Sequence, residues 1–429
     1  MGRCSTTGVN DGEISVSRTE GGIPVVVETV PSAGSVALSV YVRAGSRNEP
    51  RDRAGMAHLL EHMVFRGTRS FDSRQISERI ENAGGELNGF TGKEFTCYHT
   101  SILSETFDTA SKVLAELISC PALAEKSFEL ERRIVTQEVS MLLDEPDSYI
   151  QYLFTRALWD GHPMSVPETG DFETIGSISL QDLRGFYQSN YSPRNLIVVA
   201  SGNVGQEKVR DWASGFDDMP TVPKGPDQQP PSPRADFRVF HREGDQAYVG
   251  MGFPGVPAAD PSRQTQRILA ALLGAGMSSR LFQRVREESG LVYSIFTTSM
   301  HYTDCGTMST FFSCSTSNLQ RVVDAVAREF SRIKVDGLEP GELDRSKKLI
   351  KGATVRRLES MENRMFRLGE AYSKTGTVKP MEEMFKEMES VTEDDVMAIA
   401  ERIMRPETLC VAMHGPGSAL VRVSQELDF

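Results

Sequence analysis

The chain has little cysteine and no long apolar run. Its six cysteines are scattered and never form a C-x-x-C pair, which indicates neither a disulfide framework nor a cysteine-ligated zinc site. No stretch of about 18 apolar residues occurs, and the first residues lack the basic start and apolar segment of a secretory signal. We therefore expect a soluble protein of a reducing, cytoplasmic compartment, with no membrane partner.

Positive charge is also in deficit. The 47 lysines and arginines face 59 acidic residues, which gives a formal net charge of −12. Such a field repels phosphate groups and attracts basic ligands, so nucleic acid is not an expected partner. No G-K-[ST] loop occurs in the chain, which argues against a P-loop nucleotide-binding fold.

The chain is long enough for two domains and repeats itself. At 429 residues it exceeds one ordinary core, and a proline-rich stretch predicts a linker at 220–234 between domains 1–219 and 235–429. A shift of 205 residues places Ser73 on Ser278 and Arg79 on Arg284, with strand-like runs after both segments. We predict two homologous α+β domains, each a mixed or antiparallel sheet with helices packed on one face.

Two of only seven histidines flank a glutamate in His58-Leu59-Leu60-Glu61-His62. This is the H-x-x-E-H pattern of inverted zinc proteases, and a helix would present both imidazoles on one face to one metal ion. Glu61, one turn after His58, is placed to act as a general base. A surface helix with two histidines is the alternative, but the neighbouring residues are apolar, and polar groups buried there without partners would be costly.

A catalytic zinc ion needs a third protein ligand. Glu138 and Glu131 lie seven residues apart in the helical stretch ELERRIVTQEVSML and share one face. Spacing alone leaves open whether either acid binds metal or is a solvated helix residue.

Successive blocks of the sequence resemble the pitrilysin-type, or insulinase-type, zinc metallopeptidases, closest to the mitochondrial processing peptidase β-subunit and its prokaryotic relatives. The blocks include AGSRNEP, GMAHLLEHMVFRGT, GGELNGFTGKEFTCYH, ERRIVTQEV, HPMSVPETG and GAGMSSRLFQRVREESGLVYSI. The resemblance implies one Zn²⁺ per chain, held by His58, His62 and Glu138, with Glu131 as an assisting acid. It also implies that the two domains close as a clamshell around the substrate.

The same resemblance implies roles outside the motif helix. Arg286 and Tyr293, in the half without a metal motif, correspond to a pair that reaches the substrate, with Tyr293 donating to the developing oxyanion. Asn88 and Thr91 correspond to an edge strand that receives an extended peptide. The family usually has alanine after the asparagine, whereas this chain has Gly89.

We expect a zinc metalloendopeptidase that cleaves short, unfolded or presequence-like peptides, with a preference for basic ones suggested by the net charge. A homodimer, or a heterodimer with a paralogue, is the expected assembly. The alternative is a non-catalytic subunit of a larger assembly, although such subunits normally carry a broken metal motif. A quorum-signal lyase also uses an H-x-x-E-H helix, but the duplicated length contradicts that class.

Overall fold

The computed structural model describes residues 12–223, 228–232 and 235–417. Part of the predicted linker therefore lies outside the described residues. Among the helices of the described part, none has the length and apolar character needed to cross a membrane. The strands in chain order are β1 (Glu13–Arg18), β2 (Pro24–Thr29), β3 (Ser35–Val42), β4 (Glu86–Thr91), β5 (Thr96–Leu103), β6 (Leu196–Gly202), β7 (Asp236–His241), β8 (Gln246–Gly255), β9 (Ser294–His301), β10 (Gly306–Ser315) and β11 (Cys410–Gly415).

Helices surround these strands. They are α1 (Met56–Val64), α2 (Ser73–Asn82), α3 (Phe107–Ser119), α4 (Glu125–Asp144), α5 (Pro146–Leu158), α6 (Phe172–Ser177), α7 (Leu180–Asn190), α8 (Gln206–Ala213), α9 (Arg263–Gly274), α10 (Leu319–Val335), α11 (Glu342–Arg357), α12 (Met361–Thr375), α13 (Met381–Ser390) and α14 (Glu393–Ile403). A π-helical turn spans Phe282–Glu287.

The chain forms two compact units, each assembled from three segments. The first comprises Met1–Ser140, Val166–Gln228 and Val355–Met381, and the second comprises Met141–Ser165, Gln229–Thr354 and Glu382–Phe429, within the described residues. Each unit thus takes one helical segment from the other half of the chain. The compact units therefore differ from the contiguous domains 1–219 and 235–429 predicted from the sequence.

The two units share one sheet topology. The first sheet has the order β1-β2-β6-β3-β5-β4 and the second β7-β11-β8-β10-β9. In each, a single parallel pair, β2 with β6 or β7 with β11, joins otherwise antiparallel strands. The predicted α+β duplication is confirmed, and β1 is the strand without a counterpart in the second sheet.

The first sheet is buried on both faces. Along β3, Val36, Leu38 and Val40 enter the main core, whereas Ala37 and Tyr41 point to the opposite face, because successive strand side chains alternate. On that opposite face Met365, Leu368 and Tyr372 of α12 complete a second apolar cluster. The prediction of helices on one face therefore omitted α12.

The same helix adds a buried ion pair. Arg364 of α12 donates to the Glu28 carboxylate of β2 at 2.7 Å, and the Glu28 residue is only 2% exposed. In the second unit α5 takes the equivalent place, since Leu153 and Phe154 pack with Phe311 of β10. Each sheet is thus covered by a helix that lies far away in sequence.

Candidate functional site

Helix α1 carries the histidine motif. The rings of His58 and His62 lie on one face with centroids 4.7 Å apart. Leu59, Leu60 and Met63 point the other way and are fully buried in the main core. This packing fixes the rotation of the helix, so that both imidazoles face the same side.

Helix α4 brings a carboxylate to the two imidazoles. Oε2 of Glu138 lies 3.6 Å from Nε2 of His58 and 3.6 Å from Nε2 of His62. Two atoms that bind one zinc ion tetrahedrally at about 2.0–2.1 Å are about 3.3–3.4 Å apart, so this spacing fits a shared ion. The predicted ligands His58, His62 and Glu138 are thus gathered into one cluster, with ligand atoms within 4.8 Å of one another.

Glu131 contacts Nδ1 of His62, whereas Nε2 of the same ring faces Glu138. Oε2 of Glu131 is 3.0 Å from Nδ1 of His62, the Glu131 side chain is 1% exposed, and Arg66 pairs with its other oxygen. An imidazole that donates from Nδ1 keeps the Nε2 lone pair free for a metal. Glu131 therefore orients the His62 ring. This is a positioning role, and it differs from the role of an acid that contacts the reacting atoms.

Glu61 is held by a neighbouring strand. Thr91 of β4 donates a hydrogen bond from Oγ1 to Oε2 of Glu61 at 2.8 Å. Burial raises the pKa of Glu61 to about 7, and the Thr91 hydrogen bond acts against this shift. A carboxyl group with a pKa near neutrality suits a group that accepts a proton and then returns it.

Burial also favours the neutral form of the His58 imidazole. The pKa of His58 falls to about 4 because burial disfavours its charged form, with nearby His62 adding to the effect. A neutral imidazole is the form that binds metal.

The strand β4 lines the open side of the site. It is the edge strand of the first sheet, and exposed Asn88 accepts a hydrogen bond from the Gly89 amide at 2.8 Å. A Cβ atom on Gly89 would lie 3.1 Å from Oε1 of Glu61 and 3.1 Å from Cζ of Phe65, so the glycine leaves room beside the carboxylate. Together with the cluster, β4 bounds a cleft of about 790 Å³.

Arg286 and Tyr293 belong to the second compact unit. Arg286 lies in the π-helical turn, with its Cζ atom 5.6 Å from the centre of the Tyr293 ring. The Tyr293 side chain is 84% exposed. Their contact with a substrate stays a prediction.

Sequence reasoning missed two charged residues of this region. Arg66 pairs with Glu131, and its position one turn after His62, with a charge opposite to that of Glu131, is a signal that could have been used. Glu49 accepts hydrogen bonds from the backbone at the start of α1, and it was visible only as part of the block AGSRNEP.

Two family models match the chain in succession. Residues 24–170 match the model described as Insulinase (Peptidase family M16), and residues 177–350 match Peptidase M16 inactive domain. An uncharacterized zinc protease of Streptomyces coelicolor is 32% identical over 403 residues, which cover 92% of this chain and 88% of that protein. The chain belongs to the M16 family of peptidases.

Further similarities extend over the same length. The uncharacterized zinc protease YmxG of Bacillus subtilis is 30% identical over 92% of this chain and 97% of its own. The crystal structure of a protease from Helicobacter pylori shares the fold, with a TM-score of 0.87 and 20% identity over 95% of this chain and 100% of that chain. His58, His62 and Glu138 all lie within the segment that matches the M16 peptidase model, and none of them lies in the segment that matches the inactive domain.

Proposed function

We propose that this M16 protein is a zinc-dependent metalloendopeptidase. The observation that carries the proposal is the convergence of His58, His62 and Glu138 through Nε2, Nε2 and Oε2, with each histidine nitrogen 3.6 Å from the glutamate oxygen. Two nitrogens and one carboxylate oxygen are the ligand set of several catalytic zinc sites. Zinc bound there acts as a Lewis acid that activates water and polarises a carbonyl oxygen.

The protein side chains supply the proton transfers. Glu61, oriented by Thr91, takes a proton from the attacking water and passes it to the leaving amine. Glu131 stabilises His62 in the tautomer that leaves Nε2 unprotonated.

The proposed substrate is an extended peptide, with a preference for basic side chains. Among the described strands, β4 pairs with β5 on one side only, so its outer side can receive a peptide strand. The carboxylates that line the cleft are already engaged, because Glu131 pairs with Arg66 and Glu168 pairs with Lys93. The proposed preference for basic peptides therefore rests on the net charge of −12. We propose peptides or unfolded segments as substrates, held between domains that close around them.

Glu138→Gln is expected to lower zinc affinity at least about 100-fold, because a neutral amide oxygen is a poorer ligand than a carboxylate. Zinc affinity is measured by competition with a chromophoric chelator. Glu129→Gln is the matched control, since Glu129 lies on the same helix and pairs with Arg132 at its surface. Wild-type affinity in Glu138→Gln would remove Glu138 from the ligand set.

Tyr293→Phe is expected to lower kcat about 10²–10³-fold with little change in KM, because the lost hydroxyl serves the charge that develops in the transition state. Zinc content and thermal stability should stay at wild-type values. Tyr302→Phe, which also removes one phenolic hydroxyl from the second unit, is the control. Equal activities of the two variants would contradict the role of Tyr293.

The second candidate is a non-catalytic subunit of a larger assembly. The match of residues 177–350 to an inactive-domain model favours it for that half of the chain. Zinc content and digestion of a peptide library by the same purified sample separate the two functions. Bound zinc without cleavage, by the chain alone and with candidate paralogues added, favours the assembly role.

A further inference from the structure

The two histidines of the cluster are held in different ways. His62 has Glu131 on its Nδ1 atom at 3.0 Å. Nδ1 of His58 is buried and, among the described residues, has no hydrogen-bond partner. The position of the His58 ring therefore depends on its backbone, in the first turn of α1.

A buried carboxylate fastens that first turn. Oε2 of Glu49 accepts from the Gly55 amide at 2.8 Å, and Oε1 accepts from the Ala57 amide at 2.5 Å. Glu49 is 7% exposed, and Ala57 directly precedes His58. The first amides of a helix have no partners within the helix, so a carboxylate that binds two of them fixes the helix start.

The loop that carries Glu49 is itself anchored. The amides of Ser46 and Arg47 donate to the carbonyl oxygens of Gly92 and Lys93 at 3.1 and 2.8 Å, in the loop that follows β4. Gly55 adopts φ +90, and a Cβ atom there would lie 2.6 Å from the Thr169 carbonyl oxygen. The segment that carries Glu49 is thus hydrogen-bonded both to the loop after β4 and to the start of α1.

Resting on the proposed zinc site, we infer that Glu49 is a positioning residue for the metal cluster, which sets the place of His58 through the backbone of α1 as Glu131 sets that of His62. Burial raises the pKa of Glu49 to about 8, while the two amides and the charge of Lys93 act in the opposite direction. All variants are therefore compared at one pH above 8, where wild-type Glu49 is mainly a carboxylate.

The test measures zinc affinity of Glu49→Gln in the full chain, at a temperature where circular dichroism shows the variant to be folded. An amide offers one acceptor to the two backbone donors and turns its NH₂ group toward the other. We expect zinc affinity to fall about 10–100-fold, the range typical of outer-shell partners. The visible spectrum of the cobalt-substituted protein should change as well, because it reports ligand geometry.

The matched control is Glu342→Gln in the second unit. Glu342 is also buried, and its two oxygens accept from Arg280 at 2.8 and 2.7 Å, so the change removes a comparable buried carboxylate far from α1 in sequence. It should lower thermal stability and leave zinc affinity within about twofold of wild type. Glu49→Asp keeps a carboxylate one methylene shorter, should lie between wild type and Glu49→Gln, and serves as the test if the glutamine variant does not fold.

Three outcomes separate the claims. Wild-type zinc affinity and an unchanged cobalt spectrum in a folded Glu49 variant would overturn the positioning role, even if that variant is less stable. Equal losses of affinity in the Glu49 and Glu342 variants would also overturn it, because the effect would then follow stability. If the wild-type chain itself binds no zinc, the proposed function fails first.

Discussion

Glu61→Gln is expected to retain zinc and lose peptide cleavage by about 10²–10⁴-fold or more, since it removes the proton acceptor and leaves the three ligands in place. The amide oxygen of glutamine can still accept the hydrogen bond from Thr91, which stands at 2.8 Å in the wild type. The local geometry should therefore survive. Zinc content by elemental analysis and kcat/KM on one peptide, determined on the same preparation, check both parts.

Glu81→Gln is the control, because Glu81 lies exposed near the end of α2, away from the cleft lining. Thr91→Val and Thr91→Ser extend the test. Valine removes the donor to Glu61 and should lower kcat, whereas serine should restore most of it. A glutamine variant that cleaves at nearly the wild-type rate would show that another group accepts the proton.

The local parts of the site could be predicted from the sequence. Residues four apart on a helix share a face whatever surrounds the helix, so His58 and His62 needed only the helical period. The third residue of the cluster, Glu138, lies on another helix. Spacing alone did not show whether Glu138 or Glu131 faces the two histidines. Tertiary packing decides between them, because Glu131 turns toward Nδ1 of His62 and Glu138 toward both Nε2 atoms.

The remaining contacts depend on long-range placement. Thr91 was predicted to bind substrate, yet its hydroxyl bonds Glu61 because β4 runs beside α1, a register that the sequence pattern does not contain. Glu49 was missed for a similar reason, since a carboxylate in a loop shows no periodicity that points to a later helix. Thr91 therefore has two testable roles, the predicted contact with substrate and the hydrogen bond to Glu61.

The sequence also could not predict that α5 packs on the second sheet and α12 on the first. An amphipathic pattern shows that a helix buries one face, but it does not show which sheet covers that face. The apolar stripe of α12, with Met365 and Leu368, is equally compatible with either sheet. A domain boundary at 220–234 predicts that residues 1–219 fold on their own. The first unit of the structure also includes α12, so we expect residues 1–219 not to fold without it.

A chain that ends at Met219 is expected to fail as a folded, zinc-binding protein. Without α12 it exposes the apolar face formed by Val26, Tyr41 and Ile197, which are fully buried in the intact chain. It also removes Arg364, the partner of Glu28 on the same face of the sheet. Soluble yield, near-UV circular dichroism and zinc content are the measurements.

Restoring α12 should restore the fold. In a chimera based on residues 1–219, a short glycine-serine segment replaces residues 141–165, whose helix α5 packs on the second sheet. Residues 355–381 are joined to its end by a flexible glycine-serine linker of about 20 residues, which spans on average about 25 Å. We expect this chimera to be soluble and to bind zinc without cleaving peptides, because it holds the ligands and lacks Tyr293. The same chimera with Leu368→Asp is the control, since it places a charge in the cluster that α12 completes. If residues 1–219 alone fold and bind zinc as well as the chimera does, α12 is dispensable for the first unit, and the contiguous division predicted from the sequence is the better description of the domains.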